Sequence, residues 1–151
     1  LGQRPGAGDF ALYGQLTQLV GFDPTPRAIA HKVSSRTVAW VDQMADLSGL
    51  EVQQSQWMTL EQQPESLRGL LNEVGRMYVP ALLANAQALA AGEKSWQAEI
   101  DGATWSQQTF SYQGKCLKWL KQGYASLNNE DQRRVDLLLK STGCEVLFSG
   151  N

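Results

Sequence analysis

The spacing of apolar residues constrains the fold most, because it has a helical period through most of the chain. Between residues 64 and 92, apolar residues recur at steps of three and four, and Gly92 marks the end of the segment. Such steps place apolar side chains on one face of an α-helix. Pro80 interrupts the segment, since proline lacks an amide hydrogen and clashes with the preceding turn, so either one kinked helix or two helices are expected. The sequence therefore predicts a mainly α fold, a helical bundle. The expected buried positions are Leu67, Leu70, Leu71, Val74, Met77, Tyr78, Leu82, Leu83, Ala86 and Leu89.

The apolar period changes from helical spacing to alternation in the segment "SWQAEIDGATWSQ", which surrounds an Asp-Gly pair at 101–102. An Asp-Gly pair between alternating residues favours a β-hairpin, because both turn positions need positive φ. The sequence predicts one small hairpin over about 95–108, and it must pack on the helices because an isolated hairpin is marginally stable. A two-residue loop fixes the cross-strand pairs, Ala98 with Trp105 and Trp96 with Gln107.

Two helices are predicted in the first third of the chain. Residues 7–20 are apolar on more than one face, which indicates burial on several sides. Residues 26–47 form the next predicted helix, with Pro26 in its first turn. Residues 48–63 lack a helical period and are expected to be a long connection with one helical turn. The expected buried face of the second helix contains Ile29, Val33, Trp40, Met44 and Leu47.

Two helices and a docked tail are predicted after the hairpin. The first covers residues 112–127, and its lysine stripe (Lys115, Lys118 and Lys121) is typical of a solvated face rather than of an anion site. The last helix begins at Asn129, where Gln132 would complete a capping box, and Gly143 closes it. Residues 144–148 are an apolar tail expected to dock on the body. The expected core residues are Cys116, Leu117, Leu120, Tyr124, Leu127, Val135, Leu138 and Leu139.

The composition gives no sign of a nucleic-acid or membrane protein. The formal net charge of −2 offers no attraction for nucleic acid or an anionic membrane. An apolar run such as residues 77–83 is far too short to span a bilayer. Cys116 and Cys144 do not make a disulfide framework, and the expected interpretation is two buried thiols in a reducing cytoplasm. No nucleic-acid or membrane partner and a cytoplasmic location are therefore expected.

The sequence contains no recognisable catalytic or metal-binding motif. It lacks a glycine-rich phosphate loop after a strand, an HExxH motif and a GxSxG motif. Its one histidine, His31, is expected to be exposed rather than catalytic, and no metal site is expected. Trp96, Trp105, Tyr112 and Trp119 could line an apolar pocket, although core packing is the commoner reason for such a group. From the residues alone, the chain is a mostly helical domain without a visible active site.

One segment resembles a known family. "RPGAGDFALYGQL" (residues 4–16) resembles the N-capping segment of the glutathione transferase superfamily, where Ser or Thr precedes Asp by three residues at the start of a central buried helix. Asp9 stands at the position of that acid, and Gly6 at the position of the hydroxyl residue. The Asp9 carboxylate at the third helical position can reach the Gly6 N–H, so both are expected to act as structural N-capping residues.

The resemblance implies two parts of the chain. Residues 1–47 resemble the helical segment of a glutathione transferase C-terminal domain, with "PRAIAHKVSSRTVAWVDQM" as its second helix. Residues 48–151 resemble the C-terminal extension of a bacterial subgroup and are expected to pack with the first part as one domain. The family's N-terminal thioredoxin-like domain, which binds glutathione and activates its thiol, has no counterpart in this chain. Leu1 is accordingly expected to be a truncation point.

The resemblance implies a scaffold role in a larger enzyme. The chain would contribute structure and part of an electrophile pocket, with glutathione as co-substrate of the full-length parent and no catalytic residue of its own. The expected partners are the missing thioredoxin-like domain or a second copy in a homodimer. The alternative is a stand-alone, non-enzymatic helical module that binds a protein or an apolar ligand. The candidate pocket residues are Tyr13, Arg76, Tyr78, Trp105 and Tyr112.

Overall fold

The computed structural model describes residues 4–149 and is mainly helical with one two-stranded antiparallel hairpin, which confirms the predicted fold class. The chain divides into two compact units between Gln63 and Pro64. We call residues 4–63 the N-terminal unit and residues 64–149 the C-terminal unit. The expected packing of residues 1–47 with 48–151 as one domain stays a prediction. Leu1 lies outside the described residues.

The N-terminal unit contains three α-helices. They are α1 (Ala7–Leu16), extended by a π-helical segment (Thr17–Phe22), then α2 (Pro24–Val33) and α3 (Ser35–Ala45). Two short 3₁₀ turns follow in the long connection, at Gln54–Gln56 and Leu60–Gln62. The first helical segment thus ends at Phe22 rather than at Val20.

The predicted helix over 26–47 is wrong, because the structure has two helices there. Helical structure begins at Pro24, where the Asp23 carboxylate accepts a hydrogen bond from the Thr25 N–H at 2.9 Å. The backbone leaves the helical conformation at Ser34 (φ −153°, ψ 79°), which becomes the N-cap of α3. The Ser34 side chain makes no capping bond to an N–H of α3; its hydroxyl pairs with the Thr37 hydroxyl at 2.9 Å, and its carbonyl accepts from the Thr37 N–H at 3.0 Å.

The break at Ser34 changes which residues are buried. Ile29 and Val33 are exposed, contrary to the expected face, whereas Trp40 and Leu47 are half-buried. The first helix also differs from expectation, because Phe10 and Leu19 are exposed. The buried residues described in this unit are Asp9, Val20, Val38, Val41 and Met44.

The C-terminal unit opens with a continuous helical run. It consists of α4 (Glu65–Glu73), a π-helical segment (Val74–Tyr78) and α5 (Val79–Ala90). The π segment ends at Tyr78, two residues before Pro80, and there the Val79 N–H donates to the Val74 carbonyl, five residues back. This wider turn accommodates a residue that has no amide hydrogen and a bulky ring. Leu70 and Tyr78 on the expected apolar face are exposed.

Gly92 ends this helical run as predicted. Its φ is +73°, a conformation that favours glycine. The Glu93 N–H donates to the Ala88 carbonyl at 2.9 Å and the Gly92 N–H donates to the Leu89 carbonyl at 3.2 Å. This pair of bonds is a Schellman motif, which satisfies carbonyls at the helix end.

The hairpin and its register are confirmed. It consists of β1 (Ser95–Ile100) and β2 (Ala103–Gln108), and Asp101 and Gly102 both have positive φ. Ala98 pairs with Trp105 and Trp96 pairs with Gln107. Trp96 and Ile100 are buried together with Ala88 of α5, whereas every residue of β2 is exposed.

The main core of the unit lies between the helical run, α6 (Ser111–Ala125), α7 (Asn129–Leu139) and the tail, which has a 3₁₀ turn at Glu145–Leu147. The docked tail is confirmed. Leu120 is exposed, contrary to expectation. The buried cluster contains Val79, Leu82, Leu117, Leu139, Cys144 and Leu147.

The start and end of α7 differ from the prediction. The N-cap is Asn128, one residue earlier, and its side-chain oxygen accepts from the N–H groups of Glu130 and Asp131. Gln132 instead donates its side-chain amide to the Tyr124 carbonyl at 3.1 Å. The helix ends at Leu139, ahead of Gly143.

Two polar or small positions fix the packing of the C-terminal unit. Asn85 is 0% exposed, and its side chain bonds both the N–H (2.8 Å) and the carbonyl (3.1 Å) of Phe110, just before α6. Gly75 lies against the backbone of Thr142 and Gly143, where a Cβ atom would overlap the Thr142 carbonyl oxygen. Glycine therefore allows the tail to approach the helical run this closely.

Candidate functional site

The capping segment at the start of α1 has the geometry that its sequence predicts. The Gly6 N–H donates to the Asp9 carboxylate at 2.9 Å, and the Asp9 N–H donates to the Gly6 carbonyl at 3.0 Å. Asp9 is only 6% exposed. Burial raises the pKa of the Asp9 carboxyl, but hydrogen bonds to the carboxylate, including the one from Gly6, outweigh burial and lower it. The carboxylate is therefore ionised and fixed at the positive end of the helix dipole.

Trp57 completes this segment, and sequence reasoning missed it. A Cβ atom on Gly6 would lie 3.3 Å from two atoms of the Trp57 ring. The Arg4 guanidinium lies over the same ring, 4.5 Å from its centroid, and donates to the Gln53 carbonyl at 3.3 Å. A side chain at position 6 would therefore press against the ring, which would have to shift by a few tenths of an ångström. A lone Trp in a polar segment was the only signal in the sequence.

The five candidate pocket residues divide between the two units. Tyr13 is half-buried in α1 of the N-terminal unit. Arg76, Tyr78, Trp105 and Tyr112 belong to the C-terminal unit, where each has different neighbours.

Arg76 connects the helical run to the hairpin turn. Its guanidinium bonds the Glu73 carboxylate at 2.6 Å and also forms an ion pair with Asp101. The hydrogen bond from Arg76 and its charge lower the pKa of Asp101, and the two carboxylates in turn raise the pKa of Arg76. Arg76 thus contacts one carboxylate on its own helical run and one in the hairpin turn.

The aromatic candidates lie in different surroundings. Burial, and to a lesser extent the neighbouring Cys116, raise the pKa of Tyr78. Tyr112 lies edge-on to Trp119 with ring centroids 6.2 Å apart, and at the same centroid distance from Phe110. Trp105 is half-exposed on β2.

A shallow groove on α6 has a different lining. Its volume is about 400 Å³, and its wall, which is mostly apolar, includes Lys118 and Lys121. Lys115 and Lys118 are exposed and Lys121 is half-buried. The lining residues are Gly114, Leu117, Lys118, Lys121, Gln122 and Ala125, so none of the five candidates lines this groove.

The groups that could carry chemistry are dispersed. His31 is exposed on α2. Cys116 is half-buried, and the buried Cys144 thiol donates to the Leu71 carbonyl at 3.3 Å. Within residues 4–149, no group of three or more His, Cys, Asp or Glu side chains is arranged to hold a metal ion. No helix in this part of the chain is long and apolar enough to cross a membrane.

Comparison of the chain with protein-family models, with curated proteins and with solved structures gave no match.

Proposed function

We propose that this chain is the C-terminal helical part of a glutathione transferase-like protein, in which it serves as a scaffold and not as the catalyst. The single observation that carries the proposal is the buried Asp9 carboxylate bonded to the Gly6 N–H at the start of α1. An ionised carboxylate is costly to bury unless hydrogen bonds compensate it. Its burial at this position supports a role as the folding residue of the capping segment.

The replacement of a capping hydroxyl by glycine is compatible with this proposal. Glycine is itself a tolerated N-cap, costing only a few tenths of a kcal/mol relative to the better caps. The Trp57 ring beside Gly6 supplies a local reason for the small residue. Asp9 can therefore cap the helix although glycine replaces the hydroxyl residue of the family pattern.

Exposed apolar side chains of the N-terminal unit support the proposal that a partner covers this unit. Phe22 and Val33 are 75% and 78% exposed, and three other large apolar side chains of α1, its π-helical extension and α2 are more than half exposed. A contiguous exposed apolar patch marks an interaction site, and we propose that these side chains contribute to one. The proposed occupant is the thioredoxin-like domain of the same protein. The set contains Phe10, Leu19, Phe22, Ile29 and Val33.

The same surface favours a second candidate function, a stand-alone helical module that binds another protein. The two candidates differ in the size of the natural gene product. Intact-mass measurement of the untagged protein from its own cells separates them. A species heavier than this 16.6 kDa chain by a thioredoxin-like domain supports the transferase-like parent. A species of the mass of this chain contradicts the parent and supports the module.

Catalysis provides a second test. The resemblance implies that the thiol-activating residue belongs to the thioredoxin-like domain. We therefore expect that these 151 residues alone do not conjugate glutathione to a chromogenic electrophile. The longer gene product should catalyse it. Turnover by the 151-residue chain would contradict the scaffold role.

The role of Asp9 can be tested against a matched cap. Asp9→Ala removes a buried charged acceptor and should lower the free energy of unfolding by about 2–3 kcal/mol. Asp23→Ala removes the exposed N-cap of α2 and should cost about 1 kcal/mol. Urea unfolding of both variants measures the difference. Equal losses would show that Asp9 is an ordinary cap.

A further inference from the structure

The outer edge of β2 has free backbone hydrogen-bonding groups. In a hairpin with a two-residue turn, the residues flanking the turn form a hydrogen-bonded pair, and such pairs alternate along the strands. Ile100 and Ala103 flank the turn, and at the far end the Thr109 N–H donates to the Lys94 carbonyl at 2.9 Å, in the same alternation. The outward-pointing N–H and C=O groups therefore belong to Thr104, Ser106 and Gln108.

This edge lacks the usual protection against pairing. β2 reads ATWSQQ, without a charged residue or a proline, and all of its residues are exposed. Natural proteins block exposed edge strands with lysine, proline, bulges or covering elements, because free edges pair with other strands. An edge without these features can accept another strand.

We propose that β2 pairs antiparallel with β2 of a second copy of this chain, forming a four-stranded sheet across a two-fold axis at Ser106. In this register Ser106 faces Ser106 of the second copy, and Thr104 faces Gln108. All outward N–H and C=O groups of the three residues then form hydrogen bonds. A register centred on Trp105 would leave the Gln108 groups beyond the opposing strand, so the Ser106 register satisfies more of the edge.

Charge and apolar surface favour a second copy as the occupant. Two-fold pairing places each strand opposite the same strand of the second copy, so a charged residue would face a like charge, which is destabilising. β2 carries none. Trp105 lies on the same sheet face as Ala98, its cross-strand partner, yet is half-exposed. In the proposed register the two Trp105 side chains become diagonal neighbours, within reach of each other.

Amide hydrogen exchange of the 151-residue chain, read by NMR alongside sedimentation equilibrium, tests the contact directly. Concentrations from about 10 μM to about 1 mM cover the association range of small interfaces. The mass should approach that of two chains, and exchange at Thr104, Ser106 and Gln108 should slow with concentration. Trp105 and Gln107, bonded to β1, should exchange slowly throughout. A monomer at every concentration, or a dimer with fast outward amides, would overturn the proposal.

A charge-pair experiment tests the two-fold axis. Ser106→Lys and Ser106→Glu each place like charges opposite one another, and each should raise the dimer dissociation constant by up to about fivefold. An equimolar mixture of the two should associate at least as tightly as the original chain. Gln97→Lys and Gln97→Glu, on the same sheet face but on β1, should leave association unchanged. A mixture no tighter than either Ser106 variant alone would place the contact elsewhere.

Discussion

The two units bury their apolar side chains to different degrees. In the C-terminal unit, two clusters enclose residues from the helical run, the hairpin, α6, α7 and the tail. In the described part of the N-terminal unit, the buried apolar residues are Val20, Val38, Val41 and Met44, while larger side chains such as Phe10 and Phe22 are exposed. Because apolar burial is the main term that offsets chain entropy, the C-terminal unit has the better basis for independent stability.

Separate expression of the two units should show the largest effect. We expect residues 64–151 to keep their helical content and to unfold cooperatively. Their free energy of unfolding should be about 5 kcal/mol, the lower end of the range for small domains. Residues 1–63 should lose most of their helical signal, because their few buried apolar residues cannot offset the entropy of ordering. Far-UV circular dichroism with a urea titration measures both. Cooperative unfolding of residues 1–63 alone would break the comparison.

Glycine-to-alanine substitutions compare the packing of the two units at single sites. Gly75→Ala should lower the free energy of unfolding by about 3 kcal/mol, because the added Cβ overlaps the backbone of Thr142 and Gly143. Gly14 in α1 and Gly69 in α4 are helical glycines with nothing within 4 Å of an added Cβ.

Gly14→Ala and Gly69→Ala are the matched controls for the Gly75 variant. Each should raise the free energy of unfolding by about 0.5–1 kcal/mol through helix propensity. Urea titrations of the three variants give the values. A loss at Gly14 as large as that at Gly75 would mean that the N-terminal unit is packed as tightly as the C-terminal unit.

The features that the sequence predicted are those with a local cause. The hairpin and its register follow from an Asp-Gly pair at 101–102 between alternating residues. The helix ends at Gly92 because the residue that follows the last helical turn adopts a positive φ, which favours glycine. The capping contact of Gly6 and Asp9 likewise spans three residues. In each case, neighbouring residues supply both the signal and the partner.

The features that the sequence missed have no signal in the neighbouring residues. The break at Ser34 interrupts a continuous apolar stripe, and Ile29 and Val33 ahead of it are exposed. Gly75 contacts Thr142, far away in the chain, so no pattern predicts it.

The candidate pocket residues show the same limit. Residue type alone predicts them, whereas their contacts depend on the tertiary fold. Arg76 has carboxylate partners in two elements, Glu73 on its own helix and Asp101 in the hairpin turn. Trp57 lies against Gly6, about fifty residues earlier in sequence, and nothing in the polar segment around it indicates that contact.

The ion pair of Arg76 with Asp101 gives the smallest expected effect and tests whether the C-terminal unit also uses polar contacts to fix its hairpin. Arg76 lowers the pKa of Asp101 in the folded chain. In the unfolded chain, the pKa of an Asp carboxyl is about 3.9. Ionised Asp101 therefore stabilises the fold above that pH, and this contribution is lost as the pH falls through the folded-state pKa. NMR titration should show the pKa of Asp101 rising in Arg76→Gln and unchanged in Arg134→Gln, whose partner is Asp131. The effect on stability is small because the pair is exposed. An unchanged Asp101 titration in Arg76→Gln would mean that the ion pair does not fix the turn in solution, leaving apolar packing of β1 on α5 as its main support.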